Sequence, residues 1–264
     1  MKKVLFSTSL FIALVVLIVA CSKTKDVKPD FSDELKQQVA ALGFNPEGIQ
    51  EHPEGYLVEG DIVLTTDDLK NGHGERKSII YANEEHYRTT RTVTGLPRNI
   101  TIRVSSTLPS SYVTALNTAI SRYNAQGLRI TMSRVTSGGN IVISAAPSGA
   151  TYLASAGFPT SSGNPYSSVL VNRSYLDTWN ASTVASIIAH EIGHCIGFRH
   201  TDYMSRQYSC GGSAYNEGAS TVGAVHIPGT PTGPSAGSWM LACIGNGTNR
   251  PFTSSDVTAL NYVY

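Results

Sequence analysis

Apolar residues first recur at helical spacing at Leu35, Val39 and Leu42, and Gly43-Phe44-Asn45-Pro46 ends that pattern. The run Gly55-Tyr56-Leu57-Val58-Glu59-Gly60-Asp61-Ile62-Val63-Leu64 then reads as two short apolar strands around an acidic turn. Asn71 to Lys77 is polar and glycine-containing, which suits a linker open to cleavage. Asn99-Ile100-Thr101-Ile102-Arg103-Val104 alternates as a half-buried strand. A helix follows through Val113, Leu116, Ala119, Ile120 and Tyr123, with Ser110 or Ser111 available as its cap. Leu128 to Met132 and Asn140 to Ser144 are two further strands. Beyond them lies a loop rich in Ala, Gly, Ser and Pro, and then the strand Ser168 to Asn172.

The next helix is the longest apolar one. Val184, Ile187, Ile188, Ile192 and Ile196 form its packing face, and Asn180 or Ser182 can cap it. Residues 201–250 are loop-like and carry the run Ile227 to Pro234, and a loop of that length in a compact domain is usually functional. Here it is expected to shape one side of a cleft. A closing helix bears Val257, Leu260 and Val263, with Ser254 or Ser255 as its cap. The chain shows no internal repeat.

The long helix carries chemistry at its end. Residues 190–200 read His190-Glu191-Ile192-Gly193-His194-Cys195-Ile196-Gly197-Phe198-Arg199-His200. Histidines four apart stack one helical turn above the other and can hold one metal ion from the same face. Glu191 lies beside that ion, where a carboxylate can take a proton from a bound water. Gly197 can adopt the positive-φ conformation that ends a helix, turning the chain so that His200 supplies a third nitrogen. Three neutral imidazoles leave the fourth position of a tetrahedral zinc open, as in a catalytic rather than a structural site. One catalytic Zn2+ held by His190, His194 and His200, with Glu191 as general base, is the reading of the motif.

The extended motif, with Ser238-Trp239-Met240-Leu241-Ala242 further along, resembles the metzincins, which place a methionine turn beneath the metal. Its wording here, with Thr201-Asp202 following, is similar to the dual-action HEIGH metallopeptidase family over about Phe31 to Tyr264. The resemblance implies an α+β fold: a twisted mixed sheet, an active-site helix and a loop-rich C-terminal subdomain with Met240 in a Met-turn. It implies a zinc endopeptidase acting on protein or peptide substrates, and it makes Ser168 to Asn172 the edge strand bordering the cleft, which can pair with an extended peptide. Some metzincins carry a tyrosine two residues after the methionine. Here that position is Ala242, so no tyrosine role carries over.

Composition and the N-terminus narrow the setting. Of 264 residues, 41% are hydrophobic and 15% charged, which allows one sizeable domain plus an N-terminal extension. A formal net charge of +1 offers no electrostatic case for nucleic acid. Lys2 and Lys3 precede an apolar stretch, and Leu17-Ile18-Val19-Ala20-Cys21 resembles a bacterial lipobox in which Cys21 is acylated. The expected organisation is a lipoprotein signal peptide at 1–20, a tether at 21–30, an N-terminal segment at 31–90 and the peptidase domain at 91–264. Lipid chains on Cys21 would anchor the enzyme to the bacterial cell envelope or surface, with release on later cleavage as a further outcome. The oligomeric state is not legible.

Three cysteines remain in the body. Cys195 falls on the apolar side of the long helix, while Cys210 and Cys243 lie in the loop-rich part, where a disulfide would serve as a staple. His52, His73 and His86 read as solvated, His226 as structural, and Arg199 and Phe198 as packing or surface residues. Asp202 is placed to orient either a ligand or the loop. Val58 to Ile62 resembles the F-x-G-D stretch of astacin propeptides, with a valine in place of the aromatic; that makes Asp61 a latency switch, and the alternative is an ordinary acidic turn. Two other functions remain open: a fragilysin-like toxin metalloprotease, and a surface lipoprotein that binds peptide or glycan and keeps zinc only for structure.

Overall fold

The computed structural model describes residues 31–71, 86–214, 216–217, 224–231 and 234–264. The signal peptide, the tether, Cys21, His73 and the polar stretch 72–77 lie outside the described residues. Phe31–Tyr264 forms one compact unit.

The described chain starts with α1 (Asp33–Ala41), β1 (Gln50–His52), β2 (Gly55–Val58), β3 (Ile62–Thr65) and α2 (Thr66–Asn71). It continues with β4 (Tyr87–Arg88), β5 (Arg98–Val104), α3 (Ser110–Asn124), β6 (Ile130–Arg134), β7 (Ile141–Ala145), β8 (Ala154–Ala156) and β9 (Ser168–Val171). After α4 (Arg173–Leu176) come α5 (Ala181–Cys195), α6 (Gln207–Cys210), β10 (Val225–His226) and α7 (Ser254–Val263). The fold is α+β. Eight strands form one mixed sheet in the order β1-β2-β3-β8-β9-β7-β5-β6, and β4 pairs with β10 separately. β5, β6, β7 and β9 run parallel to their neighbours in that set, and β8 is antiparallel to β9.

Helices α3 and α5 pack against each other beside this sheet. Tyr112, Ala115, Leu116, Ala119 and Tyr123 recur at helical spacing on the buried face of α3; Leu116, Ala119 and Tyr123 lie there as the pattern predicts, while Val113 and Ile120 are half-buried at its margin. Tyr123 donates its hydroxyl to the Ala189 carbonyl of α5 at 2.7 Å and accepts from Trp239 Nε1 at 3.1 Å, so three elements are joined through one buried ring. From Thr183 to Cys195 every residue of α5 is buried. The three cap expectations resolve differently. Asn180 caps α5, but Pro109 precedes α3 without a side-chain cap, and Thr253, not a serine, caps α7 in a reciprocal box with Asp256.

The N-terminal strands are part of the sheet. Side chains alternate across a strand, so Leu57 and Val63 enter the main core while Val58, Ile62 and Leu64 enter a smaller one with Leu35, Val39, Leu42 and Phe44. Each such side chain contributes about 1.5–3 kcal/mol when buried. β3 runs parallel to β8 with Ile62 opposite Ala156, and Ala156 donates its N–H to the Asp61 carbonyl at 2.9 Å. This corrects the edge-strand expectation. β9 is interior, flanked by β7 and β8. The strand that would border a cleft is β8, hidden in the stretch that reads as loop because its Ala-Ser-Ala sequence carries no strand signal, and β3 covers it.

Two further expectations are overturned by burial. His52 and His86 are buried rather than solvated. His52 lies 3.2 Å from the Ser155 hydroxyl, and His86 pairs with Asp256 at 2.7 Å. Arg199 is wholly buried and bonds Glu59 at 3.0 Å, also wholly buried, with its guanidinium over the Phe44 ring at 4.9 Å. That ion pair joins the N-terminal segment to the chain just past α5.

Candidate metal centre

α5 ends in a Schellman turn. Gly197 N–H bonds the His194 carbonyl at 2.8 Å and Phe198 N–H bonds the Gly193 carbonyl at 2.9 Å, with Gly197 at φ +109°. A Cβ at Gly197 would also stand 2.6 Å from the Arg91 carbonyl, so only glycine fits. The reversal brings His200 back to the two histidines of the helix. His194 Nε2 lies 3.0 Å from His190 Nε2 and 3.2 Å from His200 Nε2.

Each ring is held by its other nitrogen. His190 Nδ1 donates to the Trp239 carbonyl and His194 Nδ1 to the Phe198 carbonyl, both at 2.8 Å. His200 Nδ1 donates to the Glu217 carboxylate at 2.9 and 3.1 Å. With the Nδ1 protons committed, the three Nε2 atoms converge on one point, where their lone pairs would repel one another unless a cation or a proton sits among them. Such outer hydrogen bonds are what orient imidazole ligands on a metal. Among the described residues, two buried oxygens lack a partner at the same place: Oε2 of Glu191 and Oδ1 of Asp61. A buried carboxylate oxygen without a hydrogen bond calls for an ion or water. The donor set therefore fits zinc, with three nitrogens, a neighbouring carboxylate and nothing softer.

Asp61 belongs to this cluster. Its Oδ2 is 3.1 Å from His200 Nε2 and 3.7 Å from His190 Nε2, and the four residues together form a group able to hold one ion. Burial alone would raise the Asp61 carboxyl, but His200 and His190 hold it well below the usual carboxylate range. Burial would likewise lower His200, yet the Asp61 and Glu217 carboxylates keep that imidazole well above its ordinary value. Glu191 is pushed well above by burial, with the Asp61 charge adding to it.

The remaining predicted residues fall around this centre. Met240 is fully buried against α5: a Cβ on Gly193 would stand 2.5 Å from the Met240 sulfur. Met240 also accepts from Thr201 N–H at 2.9 Å, which ties its turn to the third histidine's neighbour. Asp202 orients the loop and no ligand, accepting from Ala242 N–H at 2.9 Å and from the Ser209 hydroxyl at 2.6 Å. Cys210 and Cys243 are joined in a disulfide, and Cys195 is a buried free thiol. His226 stands apart from the cluster, 3.3 Å from the Thr230 hydroxyl.

Glu217, Glu59 and Arg206 escaped sequence reasoning. Arg206 Nε lies 3.2 Å from Glu217, and its Nη1 donates to the Glu59 carbonyl. The three sit in loops or turns with no periodicity, so no local signal marked them.

A triad of imidazoles with an adjacent buried carboxylate defines a metal-dependent hydrolase. A family model described as the dual-action HEIGH metallo-peptidase matches residues 56–264, and the chain belongs to that family of metallopeptidases. Two solved structures of myroilysin are similar to it, each at 15% identity. One has a TM-score of 0.41 and covers 66% of this chain and 82% of its own; the other has 0.42 and covers 77% and 98%. No curated protein matches.

Proposed function

We propose that this protein is a zinc-dependent endopeptidase of the metzincin type, kept latent by its own N-terminal segment. The observation that carries the reading is the convergence of three Nε2 atoms beside a buried Glu191 oxygen that has no partner. His190, His194 and His200 would hold the ion. Bound there, zinc would supply Lewis acidity toward a scissile carbonyl and make a coordinated water acidic near neutral pH. Glu191 accepts the proton of the attacking water and passes it to the leaving nitrogen. Its burial raises the carboxyl above the usual carboxylate range, which makes it a stronger base toward the water proton. Met240 acts as an apolar floor that fixes the helix, not as a ligand.

Latency rests on two contacts of the same segment. Asp61 occupies the approach to the imidazoles, and β3 lies along β8, the strand an extended substrate would need. Displacing the segment, by a cut in the polar stretch after Asn71, would free both at once. The lipobox-like run ending at Cys21 supports a lipid-anchored enzyme at the bacterial cell envelope or surface, facing protein or peptide substrates.

The deciding experiment is cleavage of denatured casein by zinc-loaded protein. Glu191→Ala should abolish it while metal content stays at one zinc per chain. Activity that survives this change would remove Glu191 from the mechanism. A zinc-bound wild type that cuts nothing, even after removal of the segment, would favour the non-catalytic binding protein instead.

A further inference from the structure

Beside Glu191 lies a cavity of about 230 Å³, walled by Leu153 near β8, Ile187 of α5, and Leu241 and Ile244 beyond Met240. Gly60 and Asp61 stand in its lining, so the N-terminal segment borders it. Leu153, Ile187, Leu241 and Ile244 give it an apolar stretch of wall, while the charged groups Asp61, Glu191, Arg206 and Arg250 also reach it. Arg206 is committed to Glu217 and to the Glu59 carbonyl. Arg250 is not matched in this way. Its Nη1 bonds the Leu241 carbonyl at 3.3 Å and its Nη2 the Cys243 carbonyl at 2.7 Å. Among the described residues no carboxylate comes within ion-pair distance of it.

A guanidinium has five N–H donors, and among the described residues carbonyls satisfy two of them here. Burial lowers the Arg250 pKa even though Asp202 and Asp256 raise it from beyond ion-pair distance, the mark of a cation partly stripped of water. The two carbonyl bonds fix its plane, so its remaining donors are already oriented for a planar acceptor. A carboxylate is the acceptor that matches the fork. Glu191 hands its proton to the leaving nitrogen, so the residue that owns that nitrogen lies at the Glu191 side of the centre.

On the peptidase reading above, we infer that this cavity takes the side chain of the residue following the cut, and that Arg250 selects an acidic one there. The apolar stretch of wall accommodates the methylenes of that side chain, and the guanidinium receives its carboxylate. A neutral isostere fills the same space and leaves the cation unmatched, which is the kind of loss that discriminates strongly in a half-buried site.

Full-length protein carrying Asp61→Ala, loaded with zinc, would be given a mixture of peptides and the cut sites read by mass spectrometry. Glutamate and aspartate should be enriched immediately after the cut. In a matched pair of peptides, glutamate at that position should give a kcat/KM about tenfold or more above glutamine. Arg250→Gln should bring this ratio close to one, and Arg250→Lys should keep part of it. Where Arg250→Gln does not fold, the glutamate-to-glutamine ratio of the Asp61→Ala protein decides by itself. Efficient cutting with no acidic preference, or with glutamine favoured, overturns the inference and leaves the peptidase reading intact. Absence of cleavage of every peptide by zinc-loaded protein, also after the N-terminal segment has been removed, overturns both.

Discussion

Replacing Asp61 by alanine should turn on the uncut protein. In the closed arrangement the Asp61 carboxylate lies 3.1 Å from one imidazole nitrogen and 3.7 Å from another, at the point where an ion would sit. Removing one partner of a buried charged contact of this kind typically costs the arrangement about 3–5 kcal/mol. At about 1.4 kcal/mol per factor of ten, the balance between closed and open segment shifts by roughly a hundredfold to a few thousandfold. The change is not total, because other contacts of the segment survive it. β3 still pairs with β8, Glu59 still bonds Arg199, and Val58, Ile62 and Leu64 remain in the smaller core. Uncut Asp61→Ala should therefore cleave a quenched fluorescent peptide at least about thirtyfold faster than uncut wild type, yet more slowly than protein whose segment has been removed. The assay needs zinc at saturation, a gel showing intact chain after the reaction, and Asp61→Ala/Glu191→Ala as the blank. Asp61→Asn, which keeps the size but not the charge, should fall between the two. Equal rates for intact wild type and Asp61→Ala would refute the switch and leave Asp61 as a turn residue.

Other perturbations test the centre and its supports. His200→Ala should lose zinc at neutral pH and with it activity, so full metal occupancy with unchanged turnover would misassign the third ligand. Glu217→Gln should weaken zinc affinity by about 10- to 100-fold in a competition titration, since Glu217 orients the His200 ring; unchanged affinity would make that contact incidental. Gly193→Ala would drive a methyl against the Met240 sulfur, 2.5 Å away, and should destabilise the fold by about 1–3 kcal/mol in a denaturant titration. A midpoint equal to that of wild type would mean the turn moves aside freely. Cys21→Ser should convert a membrane-associated protein into a soluble or unprocessed one, and an unmodified wild-type N-terminus well beyond Cys21 in mass spectrometry would contradict the lipid anchor.

The elements whose periodicity was strong appear where the pattern puts them. The apolar stripes of α3 and α5 and the alternation of β5 are local properties, and burial of one face follows from them directly. β8 was missed for the complementary reason. Ala154-Ser155-Ala156 has no propensity of its own and becomes a strand because β9 and β3 lie on either side of it. The solvated readings of His52 and His86 failed in the same way, and the reading of Arg199 as a packing or surface residue missed its ion pair. Each polar side chain is buried because a partner distant in sequence is waiting for it: Ser155, Asp256 and Glu59 respectively.

The sequence by itself determined the metal-binding motif. His190, Glu191, His194, Gly197 and His200 lie within eleven residues, where helical geometry and one glycine turn are enough to bring three nitrogens together. Tertiary structure alone decided what surrounds them. Asp61 is 139 positions from His200, Glu217 reaches the same ring from a loop, and Arg250 enters the cavity from just before the closing helix. Contacts at such separations leave no periodic trace in the chain, because they depend on how β3 seats on β8 and how the loop after Met240 folds back. The chemistry is local in sequence; the gating and selectivity proposed for it depend on packing.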